Sequence, residues 1–315
     1  MKTLDVEITN VCNEKCRHCY HPEKRDEKFM EDMDLFEKML GEFGKLGFMY
    51  LTLTGGEPLL NLQFKEIFRI AQKQRYAVSI KTNGTLINDD FSEFLKEMKP
   101  RNVEVSLYSL DSDEHDNITG FPGSFEKTME GIKLLRSYGV KVSVFTPVIK
   151  GVKKWKGIYN AAKTMDFHWS CSPFVFSSFD ERSEVEKCKL NYEEYYQFLE
   201  FTDKYESQKI NDSDPRCFSQ CQAGNEMISV CPDFTVKPCL SWPETTGRYV
   251  GGNCEKLLEV SGKTVRERFP LLKCHECEFV KECSPCTANL KIIDNIAECD
   301  TNRREYVRAY KDFFN

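Results

Sequence analysis

The chain has 315 residues, of which 30% are charged and 40% hydrophobic, and its formal net charge is −6. This acidic balance argues against a general nucleic-acid-binding protein, because contact with a phosphate backbone requires a surplus of basic residues. No stretch approaches the ~18 apolar residues of a membrane span, and the N-terminus lacks the apolar core of a signal peptide. We therefore expect a cytoplasmic protein that binds neither nucleic acid nor membranes, with enough apolar residues for a substantial core.

The first half of the chain alternates between strand-like and helix-like patterns. Leu4, Val6 and Ile8 share one face of the first predicted strand, and apolar residues at helical spacing follow it. We predict strands at 3–8, 48–58, 76–84, 102–111, 140–148 and 167–176. We predict helices between them at 33–47, 62–74, 89–99, 123–139 and 156–165, and Ser124 is the predicted N-cap of the fourth.

This alternation implies a parallel sheet with right-handed crossovers. Six strand–helix units are too few for a closed eight-stranded barrel, so an open barrel or a doubly wound sheet fits. We predict an α/β fold in which residues 1–180 form a partial (βα)6 barrel. A bridging helical segment at 181–214 and a small cysteine-rich domain at 215–315, ending in a helix, would complete the chain.

Several unusual residues follow the predicted strands directly. A cysteine-rich loop follows the first strand, Gly55-Gly56-Glu57-Pro58 the second and Thr82-Asn83-Gly84 the third, and Ser106 lies late in the fourth. In open barrels and doubly wound sheets, chemistry takes place at the carboxyl ends of the strands. These residues are therefore candidates for an active site.

The 15 cysteines are distributed unevenly. Three lie within residues 12–19, none follows until Cys171, and ten fall between Cys217 and Cys299. A disulfide framework suits small secreted domains and does not persist in a reducing cytosol. We therefore interpret most of these cysteines as metal ligands.

The first group is Cys12, Cys16 and Cys19, in the spacing C-x3-C-x2-C. A structural zinc ion would need a fourth ligand, and His18 or His21 could supply it. The alternative is an iron–sulfur cluster with three protein ligands and one iron left open for a substrate or cofactor. The spacing alone leaves both readings open.

The residues around this triplet resemble the signature of the radical S-adenosylmethionine (radical SAM) superfamily. The aromatic Tyr20 follows the last cysteine, the first cysteine follows the first strand, and "TGGEP" stands after the second strand, as in that family. The resemblance implies a 4Fe–4S cluster on the three cysteines, with the amino and carboxylate groups of SAM on the fourth iron. It also implies that Glu57 and the backbone of Gly55 and Gly56 hold the methionine amino group. Tyr20 would lie near the adenine and Ser106 near the ribose or the methionine end.

The second group resembles the SPASM extension of peptide-modifying radical SAM enzymes. Its hallmarks here are Cys221 followed by Gly224, the sequence Pro238-Cys239, and the run from Cys274 to Cys286. Zinc knuckles are the alternative. The spacing departs from the family pattern before Cys286, with x2 in place of x3, and Phe234 replaces the usual turn glycine.

The SPASM resemblance implies two auxiliary 4Fe–4S clusters, which makes three clusters in all. The ligands of one would be Cys217, Cys221, Cys239 and Cys286. The ligands of the other would be Cys274, Cys277, Cys283 and Cys299. The remaining cysteines, which are Cys171, Cys188, Cys231 and Cys254, are interpreted as small buried hydrophobic residues. Cys171, at the end of the sixth strand, is also a candidate hydrogen donor in catalysis.

SPASM-type enzymes mostly modify peptides, so we expect a maturase that forms a crosslink or thioether in a ribosomally made peptide, or oxidises it. The predicted barrel starts at residue 3, so we expect leader recognition to come from a separate protein or from the substrate itself. Flavodoxin or ferredoxin would supply electrons. Leu240 follows Pro-Cys where sulfatase-maturing relatives carry an Asp, which argues against that activity. The alternatives are a dehydrogenase or epimerase of an amino sugar or alcohol, and a non-catalytic electron carrier or zinc protein.

Overall fold

The computed structural model describes residues 2–23, 26–205, 221–268 and 301–314, together with 286, 288, 291–293 and 296–298. Its main feature is a nine-stranded sheet in the order β6-β5-β4-β3-β2-β1-β7-β8-β9. The six strands from the first half of the chain are parallel, with neighbouring strands adjacent in the sheet. They are β1 (Lys2–Glu7), β2 (Phe48–Thr54), β3 (Ala77–Thr82), β4 (Asn102–Ser106), β5 (Val142–Pro147) and β6 (His168–Ser172).

Helices connect these parallel strands, which confirms the predicted α/β partial barrel. They are α1 (Met33–Lys45), α2 (Phe64–Lys73), α3 (Asp89–Met98), α4 (Ser112–Thr119), α5 (Ser124–Ser137) and α6 (Gly157–Met165), with single 3-10 turns at Pro58–Leu60 and Lys154–Lys156. The short helix α4 was not predicted. The expected cap of α5 was wrong: Ser124 is already helical, and Asp116 accepts the N–H groups of Gly123 and Phe125 instead.

The two faces of the parallel sheet differ in chemistry. Leu4, Val6 and Ile8 of the first strand are fully buried in the core that the helices cover. Each such side chain stabilises the fold by about 1.5–3 kcal/mol. The opposite face, which we call the lumen face, presents polar residues in neighbouring strands. These residues include Asp5, Glu7, Thr52, Ser79, Lys81, Glu104 and Ser143.

The C-terminal part of the chain continues the same sheet. Strand β7 (Met227–Val230) lies parallel to β1, and β8 (Thr235–Lys237) and β9 (Gly247–Arg248) follow it in antiparallel order. The turn before β8 places Phe234 at φ 64°, a left-handed conformation that explains why a glycine is usual there. One continuous sheet therefore spans both the predicted barrel and the predicted C-terminal domain. The boundary between these two domains remains a prediction.

The remaining elements are mainly helical. They are α7 (Ser183–Glu186), α8 (Tyr192–Tyr205), α9 (Cys254–Arg268), the hairpin β10 (Lys291–Ile293) and β11 (Ile296–Glu298), and α10 (Thr301–Phe314). The C-terminal helix was predicted, and it packs on α8 through the stacked rings of Tyr195 and Tyr306, whose centroids are 4.3 Å apart. Within the described part of the chain, every helix is too short or too polar to cross a bilayer.

Candidate active site

The cysteine loop, residues 9–23, is fixed by its backbone at the carboxyl ends of the strands. Lys15 N donates to Thr119 O at 2.8 Å and Arg17 N donates to Ile118 O at 2.9 Å, so the start of the loop is held by the end of α4. Within the loop, Cys19 N donates to Cys16 O at 3.1 Å. These bonds fix the backbone around Cys16 and Cys19.

Cys12, Cys16 and Cys19 lie half-buried in one neighbourhood. Burial raises the pKa of the Cys16 thiol well above its usual value, and the nearby Glu14, Cys19 and Cys12 raise it further. Burial likewise raises the pKa of Cys12 to about 12. Because three adjacent thiolates repel one another, this site stabilises the ionised form only when a cationic group binds between the sulfur atoms.

The two histidines that could complete a zinc site are engaged elsewhere. Among residues that the structure describes, no three His, Cys, Asp or Glu side chains converge on a point that could hold one metal ion. The two candidate histidines contact other groups: His21 Nε2 lies 3.0 Å from Glu7 Oε1, and the His18 ring packs against Tyr108.

The glycine pair lies directly against the cysteine loop. Gly56 N donates to Thr9 O at 2.9 Å and Glu57 N donates to Val11 O at 2.8 Å. A Cβ atom on Gly55 would lie 2.1 Å from Thr9 O, and one on Gly56 would lie 2.2 Å from Val11 O. Only glycine therefore permits the end of β2 to pair with this loop.

The Glu57 side chain is fully buried and its carboxylate is already bonded within the protein. Oε1 accepts from Thr82 Oγ1 at 2.7 Å and Leu59 N at 3.1 Å, and Oε2 accepts from Asn83 N at 2.8 Å. Burial raises the pKa of Glu57 to about 7, against the opposing effect of these three donors. The carboxylate thus ties the glycine turn to the end of β3, a role that the sequence did not reveal.

A second segment, residues 177–182, holds the end of the cysteine loop; we call it the latch. Arg182 Nη2 donates to Cys19 O at 2.6 Å and to His21 O at 2.5 Å. Phe179 N donates to Tyr20 O at 2.8 Å, and the two rings pack edge to face with centroids 5.4 Å apart. The latch therefore fixes both the last cysteine and the aromatic residue after it.

The other predicted site residues, Tyr20, Ser106 and Cys171, lie in different parts of the barrel. Tyr20 stacks on His21 with ring centroids 4.6 Å apart, and Ser106 ends β4 on the lumen face. Cys171 pairs with Thr146 and packs against the core on the helix side. The structure therefore does not bring Cys171 into the lumen.

Three predicted ligands of one auxiliary cluster lie together. Burial raises the pKa of Cys239 to about 12, and the nearby Cys286 and Cys221 raise it further. Cys239 and Cys286 pack beside the fully buried Trp242. The remaining predicted auxiliary ligands, which are Cys217, Cys274, Cys277, Cys283 and Cys299, lie outside the described residues.

The sequence reasoning missed a group of lumen residues between the two cysteine sites. Glu7 is 3% exposed, and burial opposes its charge, but contacts with His21, Lys237 and Cys231 outweigh burial and lower the pKa of the Glu7 carboxyl. The Lys237 Nζ atom lies 4.4 Å from the centroid of the Phe179 ring in the latch. The available signal was the alternation in β1, which places Glu7 opposite the apolar face.

Known proteins resemble this chain in both sequence and fold. Residues 6–157 match the family model of the Radical SAM superfamily. The subtilosin biosynthesis protein AlbA of Bacillus subtilis is 29% identical over 249 residues, which are 76% of this chain and 54% of AlbA. The chain thus matches about half the length of that relative. A probable GTP 3′,8-cyclase of Methanocella arvoryzae is 27% identical over 300 residues, which are 90% of this chain and 95% of the cyclase.

Solved structures share the fold over nearly the whole chain. The structure of anSMEcpe with bound AdoMet has a TM-score of 0.72 at 21% identity, covering 99% of this chain and 95% of that one. Streptococcus suis SuiB bound to the precursor peptide SuiA has a TM-score of 0.75 at 17% identity, covering 96% and 75%. With the cysteine triplet and the glycine turn placed as described, these matches identify a radical SAM domain in residues 6–157.

Proposed function

We propose that this enzyme is a peptide maturase that cleaves SAM reductively and modifies a ribosomally synthesised peptide by abstracting hydrogen from a C–H bond. The observation that carries the proposal is the position of Tyr20. Burial raises the pKa of the Tyr20 phenol well above its usual range, and the charges of Glu7, Cys19, Asp5 and Cys239 raise it further. Tyr20 is therefore influenced by both cysteine sites, and such an arrangement would suit a substrate radical that forms at one centre with an auxiliary centre within reach.

In this proposal Cys12, Cys16 and Cys19 hold a 4Fe–4S cluster, and SAM binds at its open iron. The bound cluster and SAM together supply a 5′-deoxyadenosyl radical. The protein shields this reaction from water through the latch and orients Tyr20 toward the adenine and Ser106 toward the ribose or methionine end.

The contacts of Glu57 refine its proposed role. The protein already supplies three donors to this carboxylate, which has about four acceptor positions. We infer that Glu57 first positions the turn, so that Gly55 and Gly56 present their backbone to the methionine amino group. Its remaining acceptor position would take one ammonium N–H.

The auxiliary part of the proposal assigns four cysteines to each of two further clusters, in the sets predicted from the sequence. Anaerobically reconstituted enzyme should then contain about 12 irons. Replacing Cys12, Cys16 and Cys19 together with Ala should remove about four irons and abolish 5′-deoxyadenosine formation. A wild-type content near four irons with bound zinc would contradict the auxiliary clusters, and SAM cleavage by the triple variant would contradict the catalytic site.

The substrate class is inferred from the relatives. AlbA is a bacteriocin biosynthesis protein, and the structures of SuiB and anSMEcpe hold a precursor peptide and the Kp18Cys peptide. We propose that this enzyme likewise acts on a peptide in the cytoplasm. A separate leader-binding protein and an electron donor of the flavodoxin or ferredoxin class would assist it. The chemical outcome is a crosslink, a thioether or an oxidation.

A small-molecule activity is the second candidate, and one observation favours it. The alignment with the probable GTP 3′,8-cyclase spans 95% of that protein. Anaerobic incubation of the reduced enzyme with SAM, and with either co-expressed short peptides or GTP, separates the two. A mass change in a peptide, coupled to 5′-deoxyadenosine, supports the maturase. Conversion of GTP with no change in any peptide would overturn it.

A further inference from the structure

A phenol lies beside one of the three N-terminal cysteines. Tyr108 follows β4 by two residues, and its Oη atom lies 3.8 Å from the Sγ atom of Cys16, within hydrogen-bond range for sulfur. Tyr108 is 5% exposed. Its ring packs against the rings of His18 and His115, with centroids 5.0 Å and 5.3 Å away. These contacts hold the phenol in place beside the sulfur atom.

The surroundings of this contact are apolar. Cys16 packs against a small group of buried residues, which are Tyr108, Ile118, Ile149, Val175, Val185 and Cys188. In such a setting the effective dielectric constant is low, and a hydrogen bond is electrostatically stronger than in water. The phenol therefore influences the Cys16 sulfur more than an exposed donor would.

Iron binding decides which of the two atoms donates. Without iron, Cys16 Sγ donates to Glu14 Oε2 at 3.3 Å, a bond that requires the thiol proton. A cysteine that binds iron is a thiolate, so it can only accept. A phenol keeps its proton at neutral pH, because its ordinary pKa is about 10. With a cluster bound, Tyr108 is therefore the donor and Cys16 the acceptor.

This donor differs from the one at the neighbouring ligand. Cys12 Sγ accepts from the main-chain N–H of Glu14 at 3.5 Å, whereas the donor to Cys16 is a side chain. The carboxylates of Glu57 and Glu14 add negative charge near Cys12. Reduction of a cluster adds a further negative charge, so these carboxylates oppose it, while hydrogen bonds to the sulfur atoms favour it. The phenol thus offsets part of the effect of the carboxylates.

We propose that Tyr108 is a positioning residue whose O–H group hydrogen-bonds the Cys16 thiolate and raises the reduction potential of the N-terminal cluster, an inference that rests on the proposed function and deepens it. One electron from the flavodoxin- or ferredoxin-class donor enters the cluster, and no proton moves, because the phenol keeps its hydrogen. The reduced cluster carries one more negative charge, so it gains more from this bond than the oxidised cluster does. Tyr108 thereby makes the cluster easier for a protein reductant to reduce.

A redox titration followed by EPR measures this effect on the reconstituted enzyme. The N-terminal cluster is identified by the signal that changes when SAM is added. Tyr108→Phe keeps the ring and removes the donor. At a fixed potential, the ratio of reduced to oxidised N-terminal cluster should therefore fall about tenfold, which corresponds to a midpoint about 59 mV lower for one electron.

Tyr76→Phe is the matched control. Tyr76 is also 5% exposed and donates to Leu40 O at 2.8 Å, but it lies in the core that the helices cover. Its substitution likewise removes one buried phenol and one hydrogen bond. The midpoint potential of Tyr76→Phe should equal that of wild type, and a shift as large as that of Tyr108→Phe would overturn the inference.

Two reductants give a second readout. With reduced flavodoxin, Tyr108→Phe should form 5′-deoxyadenosine about tenfold more slowly than wild type, whereas an excess of titanium(III) citrate, a stronger reductant, should restore the wild-type rate. A merely structural defect would lower both rates alike and would overturn the inference.

The outcomes also separate the inference from the proposed function. If no EPR signal of the wild-type enzyme responds to SAM, the proposed function fails and the inference fails with it. If the signal responds but Tyr108→Phe has the wild-type midpoint, or does not retain the N-terminal cluster, only the inference fails.

Discussion

Glu57 should make the stability of the enzyme fall with rising pH. Its pKa rises from 4.5 to about 7 in the folded protein, which corresponds to roughly 3 kcal/mol. A raised pKa means that the folded state binds the proton more tightly than the unfolded state. The stabilisation from the protonated group is therefore complete below pH 4.5 and is lost as pH rises to about 7.

Two substitutions isolate this effect. Glu57→Gln removes the titration while keeping the size of the side chain, so the variant should gain stability relative to wild type by about 2 kcal/mol between pH 5 and pH 7. Glu57→Ala leaves the donors of Leu59, Thr82 and Asn83 without their acceptor, at about 1–3 kcal/mol each. It should therefore be the less stable variant at every pH.

The assay is anaerobic thermal or urea unfolding of iron-loaded protein at several pH values, followed by circular dichroism. The comparison with Glu57→Gln cancels the contributions of other titrating groups, because both proteins share them. A constant difference between wild type and Glu57→Gln from pH 5 to pH 7 would refute the reasoning, since Glu57 would then be ionised in the folded protein throughout.

Three further substitutions test other parts of the site. Gly56→Ala should displace the cysteine loop and abolish SAM cleavage, because the added Cβ would lie 2.2 Å from Val11 O. Gly41→Ala is the control: the atom nearest to its added Cβ is 3.6 Å away, so SAM cleavage should stay at the wild-type rate. Arg182→Ala should accelerate loss of the N-terminal cluster iron to a chelator, because two charge-assisted bonds of about 1.5–3 kcal/mol each disappear, and an unchanged rate would exclude a role for the latch. Phe234→Gly relieves roughly 1–2 kcal/mol of left-handed strain but removes a buried ring worth about 3–5 kcal/mol. The melting temperature should therefore fall, and a rise would show that strain dominates.

The sequence predicted the parallel part of the fold well because its determinants are local. The alternation of Leu4, Val6 and Ile8 and the helical spacing after each strand depend on near neighbours in the chain. The helix α9 was missed because several of its buried positions are small or polar, such as Ser261 and Gly262, and because it packs on the distant helix α1.

The candidate site likewise has one part that the sequence could reveal and one part that it could not. The cysteine triplet and the glycine turn could be found as motifs, since the residues of each lie close together in the chain. The inward orientation of Glu57 and the grouping of Glu7 with Lys237 and Cys231 depend on contacts between distant segments. No pattern in a single sequence encodes such contacts.

The pairing of β1 with β7 has a consequence for biosynthesis. Thr3 is in register with Met227, so one edge of the first strand has no partner strand until most of the chain has been translated. At roughly 5–20 residues per second this delay is on the order of ten to forty-five seconds. An unpaired strand edge is a template for aggregation during that time, and the cysteine triplet beside it emerges early from the ribosome. Slower translation would lengthen this exposure, so the yield of iron-loaded protein should depend on how soon the nascent N-terminus meets a chaperone or an iron–sulfur carrier.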